Sequence, residues 1–369
     1  MSSQQPNHRA RPRTRRRSLV AGGLLLAGVL LPGAVLAGCG DDSSSSSSAS
    51  GDGATSTTGA ATAKAPDKIT IAYQLIPNGD LVVKHEKWLE KAFPDTEIEW
   101  KLFDSGGSVN EAVVGGSVDI GLAGSSPVSR GLSTPIDYQV PWIHDVIGKA
   151  EALVVKGDEG ITSLRDLVGK KIATPFASTS HYSLLAALED AGVDASTVDI
   201  IDAEPDDIYA AWSRGDIDGA YVWNPNLAKL VADGGNVLVD SEQLAKKGKT
   251  TYDLAVVTND FAKRFPEAVT TWVAQQDRAV KLFRKDPDAF ASDLAAELNI
   301  DKSDALAQAK DLIFLTADEQ TGADYLGGGL AKNLIAAAKF NKAQGKIDAV
   351  QPDAAYEAAV TPTFAAKVG

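Results

Sequence analysis

Strand-like and helix-like patterns alternate along the chain from Lys68 onward, and this alternation limits the fold more than any other feature of the sequence. Segments 68–73 and 97–103 alternate apolar with polar residues, as half-buried strands do. Segment 81–93, which lies between them, places its apolar residues at helical spacing. Further strands are predicted at 118–122, 136–146 and 151–155. This order predicts a mostly parallel sheet with helices on both faces.

The same order starts again after residue 160 and then gives way to helices. Strands and helices alternate once more, with strands predicted at 171–174, 198–202, 218–222, 236–239 and 254–257 and helices at 181–191, 205–214 and 225–233. From Asn259 to about Gly345 the apolar spacing is helical throughout.

These patterns predict an α/β fold with two structural units. The first unit comprises residues 67–155 together with about 254–369, and the second comprises residues 156–253. The chain would cross between them near Val155–Lys156 and again near Thr251–Asp253, and the two crossings would form a hinge. A length of about 300 residues is typical of two cores rather than one.

The first 38 residues have the order of an export signal. Six arginines between Arg9 and Arg17 precede an apolar stretch at 19–36, and small residues follow it. Segment 14–19 partly resembles a twin-arginine motif, so the general and the twin-arginine export routes both stay open. The sequence predicts that residues 1–38 are removed on export.

The single cysteine, Cys39, follows this signal directly. It ends the string Leu-Ala-Gly-Cys at 36–39, which resembles the lipobox of bacterial lipoproteins. The resemblance implies cleavage before Cys39, a lipid on its thiol and attachment to the outer face of the cell membrane. Residues 39–66 include six consecutive serines and bury too little apolar surface to fold, so they form a tether with a reach of roughly 30 Å.

The charge of the chain argues against several classes of partner. Residues 1–38 carry six of the 36 basic residues and none of the 49 acidic residues, so the remainder has a net charge of −19. Such a surface disfavours nucleic acid and anionic lipid. We therefore expect contact with the membrane only through a lipid on Cys39.

No motif of a known catalytic centre is present. The Gly-Ser-Ser-Pro-Val string at 124–128 lacks the second glycine of a nucleophile elbow, and no phosphate-binding loop occurs. The four histidines are not spaced as metal ligands. Ser180 and His181 are adjacent, and adjacent helical residues do not face each other. The sequence therefore predicts neither an enzyme nor a cofactor or metal site.

Three predicted helix starts could each bind an anion. Ser178–Ser180, Gly124–Pro127 and Phe103–Ser108 follow the ends of strands and place hydroxyl groups where a helix begins. Ligands of open α/β sheets bind at these strand ends. Each turn alone is also explained as an ordinary helix cap.

An aromatic residue and a carboxylate suggest a partner for an ammonium group. Trp223 follows the strand at 218–222, and Asp253 lies at the second predicted crossing. An aromatic face and a carboxylate together suit a cation. A core position for Trp223 and a solvated strand end for Asp253 are the alternatives.

Several strings resemble the taurine-binding proteins of ABC importers. The specific ones are GKKIATPFASTSHYSLLAAL at 169–188 and AAWSRGDIDGAYVW at 210–223. FDSGGSV at 103–109, GSSP at 124–127, EALVV at 151–155 and DSEQ at 240–243 follow the same order. The resemblance extends from about Lys68 to Lys263 and is loose in the helical remainder.

The resemblance implies a two-lobed type II periplasmic-binding-protein fold, with two mixed, mostly parallel sheets, flanking helices and a hinge. Such a protein closes over one aminoalkanesulfonate and performs no covalent chemistry. Carried over by position, the sulfonate would contact Gln74, Ser105, Ser125, Ser126, Ser180 and His181. Trp223 and Asp253 would hold the amine. The implied partners are an ABC permease with its ATPase, and the implied binding protein is a monomer.

Other readings of the same resemblance stay open. The ligand would be an alkanesulfonate, nitrate or a small organic acid if the carboxylate of Asp253 has no role. An enzyme of the thiamine-pyrimidine synthesis type is disfavoured, because those enzymes use a Cys-rich motif and this chain has one cysteine. A sensing role is not separated from transport by the sequence.

Overall fold

A computed structural model describes residues 65–369 of the chain. The predicted signal at 1–38, Cys39 and the linker as far as residue 64 lie outside the described residues. None of the described helices combines the length and the apolar character needed to span a membrane.

The described residues form strands and helices in an alternating order. The strands are β1 (Lys68–Tyr73), β2 (Glu97–Leu102), β3 (Ile120–Gly124), β4 (Tyr138–Ile147), β5 (Glu151–Lys156), β6 (Lys171–Thr174), β7 (Asp199–Asp202), β8 (Gly219–Trp223), β9 (Gly235–Asp240), β10 (Thr251–Thr258) and β11 (Leu312–Ile313). The first eight helices are α1 (Gly79–His85), α2 (Trp88–Ala92), α3 (Gly106–Val114), α4 (Ser125–Ser133), α5 (Thr179–Ala191), α6 (Pro205–Arg214), α7 (Asn226–Ala232) and α8 (Ser241–Ala245). The remaining helices are α9 (Asn259–Arg264), α10 (Pro266–Lys285), α11 (Pro287–Leu298), α12 (Lys302–Lys310), α13 (Ala317–Gln320), α14 (Gly329–Ala343), α15 (Asp353–Ala359) and α16 (Thr363–Ala366).

The strands form two mixed sheets. The first has the order β11-β4-β10-β3-β1-β2 and the second has the order β7-β6-β8-β5-β9. β10 runs antiparallel to both of its neighbours, and so does β5. The prediction of two mixed, mostly parallel sheets is confirmed, since β1 to β4 share one direction in the first sheet and β6 to β9 share one direction in the second. The antiparallel strands β5 and β10 each enter a sheet from the other one, and so start at the edge where the parallel strands end.

The chain passes between the sheets at two places. It leaves the first sheet after Ile147 and enters the second at Glu151, which is earlier than the predicted crossing at Val155–Lys156. The residues of β5 have the pattern of a strand in either sheet, so the sequence did not reveal which partners they take. The return lies between Asp240 and Thr251. The chain therefore changes from one sheet to the other close to the predicted domain boundaries. The domain boundaries themselves stay a prediction.

Apolar residues on both faces hold the second sheet between helices. On β5, Leu153 and Val155 pack in a cluster with Leu184 of α5. Ala152 and Val154 point to the other face and pack with residues of α6 and α7. A strand buried on both faces has this run of apolar residues.

The helix predicted at 81–93 is broken. The structure has α1 and α2 instead, separated at Lys87, whose φ of 54° lies in the left-handed region. The apolar spacing continues through the break because both helices face the same core. The predicted all-helical tail is also interrupted, since Leu312 and Ile313 pair with β4. Two residues are too few to give a periodic pattern.

Candidate ligand-binding site

A pocket opens where the two sheets face each other. It lies at the carboxyl ends of the parallel strands, where open α/β sheets place their ligands. The starts of β5 and β10 reach the same place, because these strands run in the opposite direction. The lining residues come from both sheets: Gln74, Ile76, Pro77, Gly106, Gly124, Pro127, Ile147, Asp253 and Leu312 from the first, and Ala150, Glu151, Ser178, Thr179, Trp223 and Asn224 from the second and its connections.

All three predicted helix starts lie at this pocket. α3 starts at Gly106, α4 at Ser125 and α5 at Thr179. The Ser178 hydroxyl caps α5 by accepting a hydrogen bond from the His181 N–H at 3.1 Å. α4 has Gly124 at its cap position and no side-chain cap. Its first N–H groups therefore point a positive dipole end at the pocket without a side-chain acceptor.

Three of the predicted contact residues line the pocket: Gln74, Trp223 and Asp253. Gln74 is buried, and its amide donates a hydrogen bond to the Leu122 carbonyl at 3.0 Å, which fixes the side chain beside the pocket. Trp223 and Asp253 are partly buried. The fold thus brings Trp223 and Asp253, the two residues predicted to hold an amine, to the same pocket.

The hydroxyls of Ser125 and Ser126 are used within the protein. Ser125 Oγ accepts a hydrogen bond from the Tyr252 N–H at 3.2 Å. Ser126 Oγ accepts one from the Asn341 side chain at 3.5 Å. Neither side chain lines the pocket. At this turn the pocket is lined by Gly124 and Pro127 instead.

Ser105 connects the two halves of the site instead of facing the pocket. Its hydroxyl donates a hydrogen bond to Glu204 Oε1 at 3.2 Å and lies 3.4 Å from Ser108 Oγ. Ser105 follows β2 of the first sheet, whereas Glu204 precedes α6 beside the second sheet. This contact therefore joins the two sheets next to Gly106, which lines the pocket.

His181 points away from the pocket. Its Nδ1 accepts a hydrogen bond from the Ala177 N–H at 3.3 Å, and its ring stacks on Phe176 with a centroid separation of 4.4 Å. Burial, followed by the charges of Lys346 and Arg130, lowers the pKa of His181 to about 4. The imidazole therefore braces the turn before α5 as a neutral ring. Ser180 is fully buried beside Glu151 and does not line the pocket either.

Glu151 is a site residue that the sequence analysis missed. Only 1% of its surface is exposed, yet it lines the pocket. Its carboxylate accepts hydrogen bonds from Ser241 Oγ at 2.7 Å and Ser183 Oγ at 3.2 Å, and also from the Thr179 hydroxyl. Burial raises the pKa of Glu151, while these hydroxyl donors act in the opposite direction. A glutamate at the start of an otherwise apolar strand was the available signal.

A further acid, Asp145, lies next to Asp253 on the neighbouring strand. The two residues are opposite each other in the pairing of β4 with β10. Burial, together with the Glu151 charge, raises the pKa of Asp253 to about 7. Burial and the charges of Asp253 and Glu151 raise the pKa of Asp145 well above its ordinary range.

The pocket therefore combines two electrostatic features. The described residues that line it include two carboxylates and no lysine, arginine or histidine. The uncapped start of α4 provides neutral donors for an anion. No group of three or more potential metal-ligating side chains occurs among residues 65–369. The arrangement suits a small molecule with a cationic and an anionic end.

The sequence of the chain matches one family model and several related proteins. A family model described as NMT1/THI5 like matches residues 93–290. The taurine-binding periplasmic protein of Escherichia coli (strain K12) is 39% identical over 302 residues, which cover 80% of this chain and 92% of the relative. The chain belongs to the family of taurine-binding periplasmic proteins. A putative aliphatic sulfonates-binding protein of the same organism is 31% identical over 194 residues, which cover 52% of this chain and 61% of that protein.

Solved structures agree with the family in their fold. The alkanesulfonate-binding protein SsuA from Xanthomonas axonopodis pv. citri, bound to MOPS, has a TM-score of 0.69 at 23% identity, covering 80% of this chain and 99% of that one. The aliphatic sulphonate binding protein SsuA from Escherichia coli has a TM-score of 0.65 at 22% identity, covering 79% and 92%. The predicted periplasmic-binding-protein fold is thereby confirmed.

Proposed function

We propose that this chain is the extracytoplasmic binding component of an ABC importer and that it binds taurine, or a close aminoalkanesulfonate, in the pocket between its sheets. The observation that carries the proposal is that Asp253 and Glu151 face a pocket whose described lining has no cationic side chain. Buried carboxylates without a cation are costly, so the site calls for a ligand that brings one. A relative named as taurine-binding supports this assignment.

The amine end of the ligand would lie against Asp253, Glu151 and Trp223. An ammonium group donates up to three hydrogen bonds, and carboxylates accept them as charge-assisted bonds. The Trp223 ring adds an aromatic face, which attracts a cation. Two carboxylates and one aromatic ring therefore match a primary ammonium group.

The sulfonate end would lie at the starts of α3 and α4, with the Gln74 amide beside it. A sulfonate stays ionised at any workable pH, so helix N-termini and neutral donors hold it without a buried cation. In this arrangement Ser125 and Ser126 contribute backbone N–H groups rather than hydroxyls. His181 and Ser180 support the turn before α5.

The ligand would act by bridging the two sheets. A molecule that binds Asp253 of the first sheet and Glu151 of the second favours the closed arrangement, in which both carboxylates contact the molecule. The hydrogen bond between Ser105 and Glu204 also joins the two sheets in this arrangement. The protein would perform no covalent chemistry and would deliver its ligand to a permease and its ATPase.

The proposal favours a ligand that carries an amine over one that does not. Alkanesulfonates and nitrate have no amine, so Asp253 and Glu151 would be left facing an anion. An enzyme that relies on several cysteines is disfavoured, because the single cysteine of the chain is Cys39.

A ligand series tests the proposal directly. We expect taurine at a hundredfold excess over its Kd to raise the Tm by roughly 5 °C, because a ligand that binds only the folded state adds about 2.7 kcal/mol of stability. Isethionate, in which a hydroxyl replaces the amine, should raise the Tm far less. β-Alanine, in which a carboxylate replaces the sulfonate, tests the contribution of the sulfonate end of the ligand. Absence of a shift with taurine, or equal shifts with taurine and isethionate, would contradict the proposal.

We also propose that the mature protein is exported and lipid-anchored through Cys39. The Cys39→Ser variant is expected to carry no lipid, because it has no thiol to acylate. The measurement is incorporation of a labelled fatty acid into the protein, and Ser48→Ala in the same linker is the control. Equal labelling of the wild type and Cys39→Ser would contradict a lipid on Cys39.

A further inference from the structure

Asp145 is a buried carboxylate without a hydrogen-bond partner. Its exposed fraction is 0%, and neither Oδ1 nor Oδ2 makes a hydrogen bond with any described residue. It does not line the pocket, so a ligand would not touch it. Burying a polar group without a partner costs free energy, and burying a charge costs more.

A β-bulge places Asp145 opposite Asp253. The pairing of β4 with β10 changes register between Asp253 and Leu254, so that Asp145 lies opposite Asp253 while Leu254 lies opposite Ile143. Bulges are frequent beside functional sites because they redirect a side chain. Opposite residues of an antiparallel pair have their Cβ atoms roughly 5 Å apart.

The charged groups that act on Asp145 are all acidic. Asp253 on β10 and Glu151 on β5 are the charges that reach it. β11, on the other side of β4, contributes Leu312 and Ile313. The adjacent His144 has its Nε2 3.6 Å from Asp80. Among the described residues, no other element that packs on β4 brings a charge to Asp145.

Carboxylates this close do not all ionise in a buried site. We propose that Asp145 is a positioning residue that keeps a proton at the amine end of the empty pocket, and that an arriving ammonium group takes its place. The proton leaves to solvent, so the site exchanges one positive charge for another. The inference rests on the proposed function, since it assumes an amine-bearing ligand.

The proton affinities of the three acids agree with this exchange. The pKa of Asp253 is raised to about 7, and that of Asp145 is raised well above its ordinary range. Asp145, Asp253 and Glu151 together therefore hold a proton near neutral pH in the absence of a ligand. A bound ammonium group stabilises the ionised carboxylates and lowers their pKa values. Taurine binding should thus strengthen as the pH rises, by at most about tenfold per pH unit for one proton.

Calorimetry counts the released proton. Taurine is titrated into the full chain at pH 7 in phosphate and in Tris, whose ionisation enthalpies differ. The observed enthalpy should change with the buffer by an amount that corresponds to roughly one released proton per taurine. Asp145→Asn should remove the part of this release that Asp145 contributes and leave only the part from Asp253, whose pKa is raised by burial and by Glu151. Asp104→Asn should leave the whole release unchanged, since Asp104 is an exposed acid in a groove that shares Gln74, Ile76 and Trp223 with the pocket.

The empty protein provides a second measurement. A carboxyl group whose pKa is raised on folding stabilises the folded state at low pH, and this stabilisation is lost as the pH rises through the folded-state value. The Asp145 carboxyl should therefore stabilise the wild type more at pH 4.5 than at pH 8, because burial and the neighbouring acids raise its pKa. The amide of Asp145→Asn cannot ionise, so the Tm of this variant relative to the wild type should rise by about 4 °C over that range. The Asp80 pKa, raised to about 7 by burial, contributes equally in both proteins.

The two measurements separate the inference from the proposed function. Taurine binding by the wild type without proton release would overturn the role of Asp145 and leave the proposed function intact. If taurine did not bind, the proposed function would fail. The empty-protein measurement would then still decide about Asp145, because equal pH dependence of the Tm in wild type and Asp145→Asn overturns it.

Discussion

Asp253→Asn is expected to weaken taurine binding by roughly 100-fold, because the variant removes one partner of a buried charge pair, which typically costs 2–5 kcal/mol. The substitution keeps the shape of the side chain, so the pocket itself is preserved. Isethionate has no ammonium group, and its weaker binding should change less than threefold. Isothermal titration with both ligands at pH 7.5 gives the two ratios.

The control for Asp253→Asn is Asp104→Asn. Asp104 is exposed and lies in the groove that adjoins the pocket, so this variant removes the same charge from the same region. Taurine affinity should change little in the control, since solvent screens an exposed charge. Equal losses for taurine and isethionate in Asp253→Asn would take Asp253 out of the amine site.

Gly124→Ala is expected to weaken binding by about 30-fold through a steric contact between the two sheets. A Cβ at Gly124 would lie 2.6 Å from Thr179 Cγ2, which belongs to the second half of the site. The Thr179 hydroxyl donates to Glu151, so its methyl group cannot rotate away without breaking that hydrogen bond. Overpacking of this kind costs about 1–3 kcal/mol.

The backbone of Gly124 would tolerate alanine, which isolates the steric effect. Its φ of −63° and ψ of 159° are ordinary for any residue. Gly124→Ala combined with Thr179→Ser removes the colliding methyl group but keeps the hydroxyl, and should restore affinity to within about threefold of Thr179→Ser alone. Wild-type affinity in Gly124→Ala, or failure of the double variant to recover, would show that the sheets do not approach here during binding.

The positions of the helix starts were predictable from sequence, whereas the directions of their side chains were not. Cap residues after strands mark where α3, α4 and α5 begin, and all three starts reach the pocket. Whether a hydroxyl faces a ligand depends on the rotation of the helix and on partners distant in sequence. Asn341, for example, holds Ser126 from 215 positions away.

The acids around the amine site show the same limit. Asp253 was identified because it lies at a predicted crossing of the chain. Glu151 starts a strand whose partners the sequence did not reveal, and Asp145 reaches Asp253 only because a bulge shifts the register. A bulge adds one residue to a strand without a distinctive sequence pattern, so alternation alone assigned Asp145 no role.

The position of β10 also has a consequence for the order in which the chain folds. This strand lies between β3 and β4 in the first sheet, yet it is made more than a hundred residues after both. All strands of the second sheet are available once synthesis reaches Asp240, whereas the larger core waits for Thr251–Thr258. Long-range strand pairing is slow because a long loop must close first. The half of the protein that begins first along the chain is thus the last to be completed, so its apolar strands stay uncovered longest during biosynthesis.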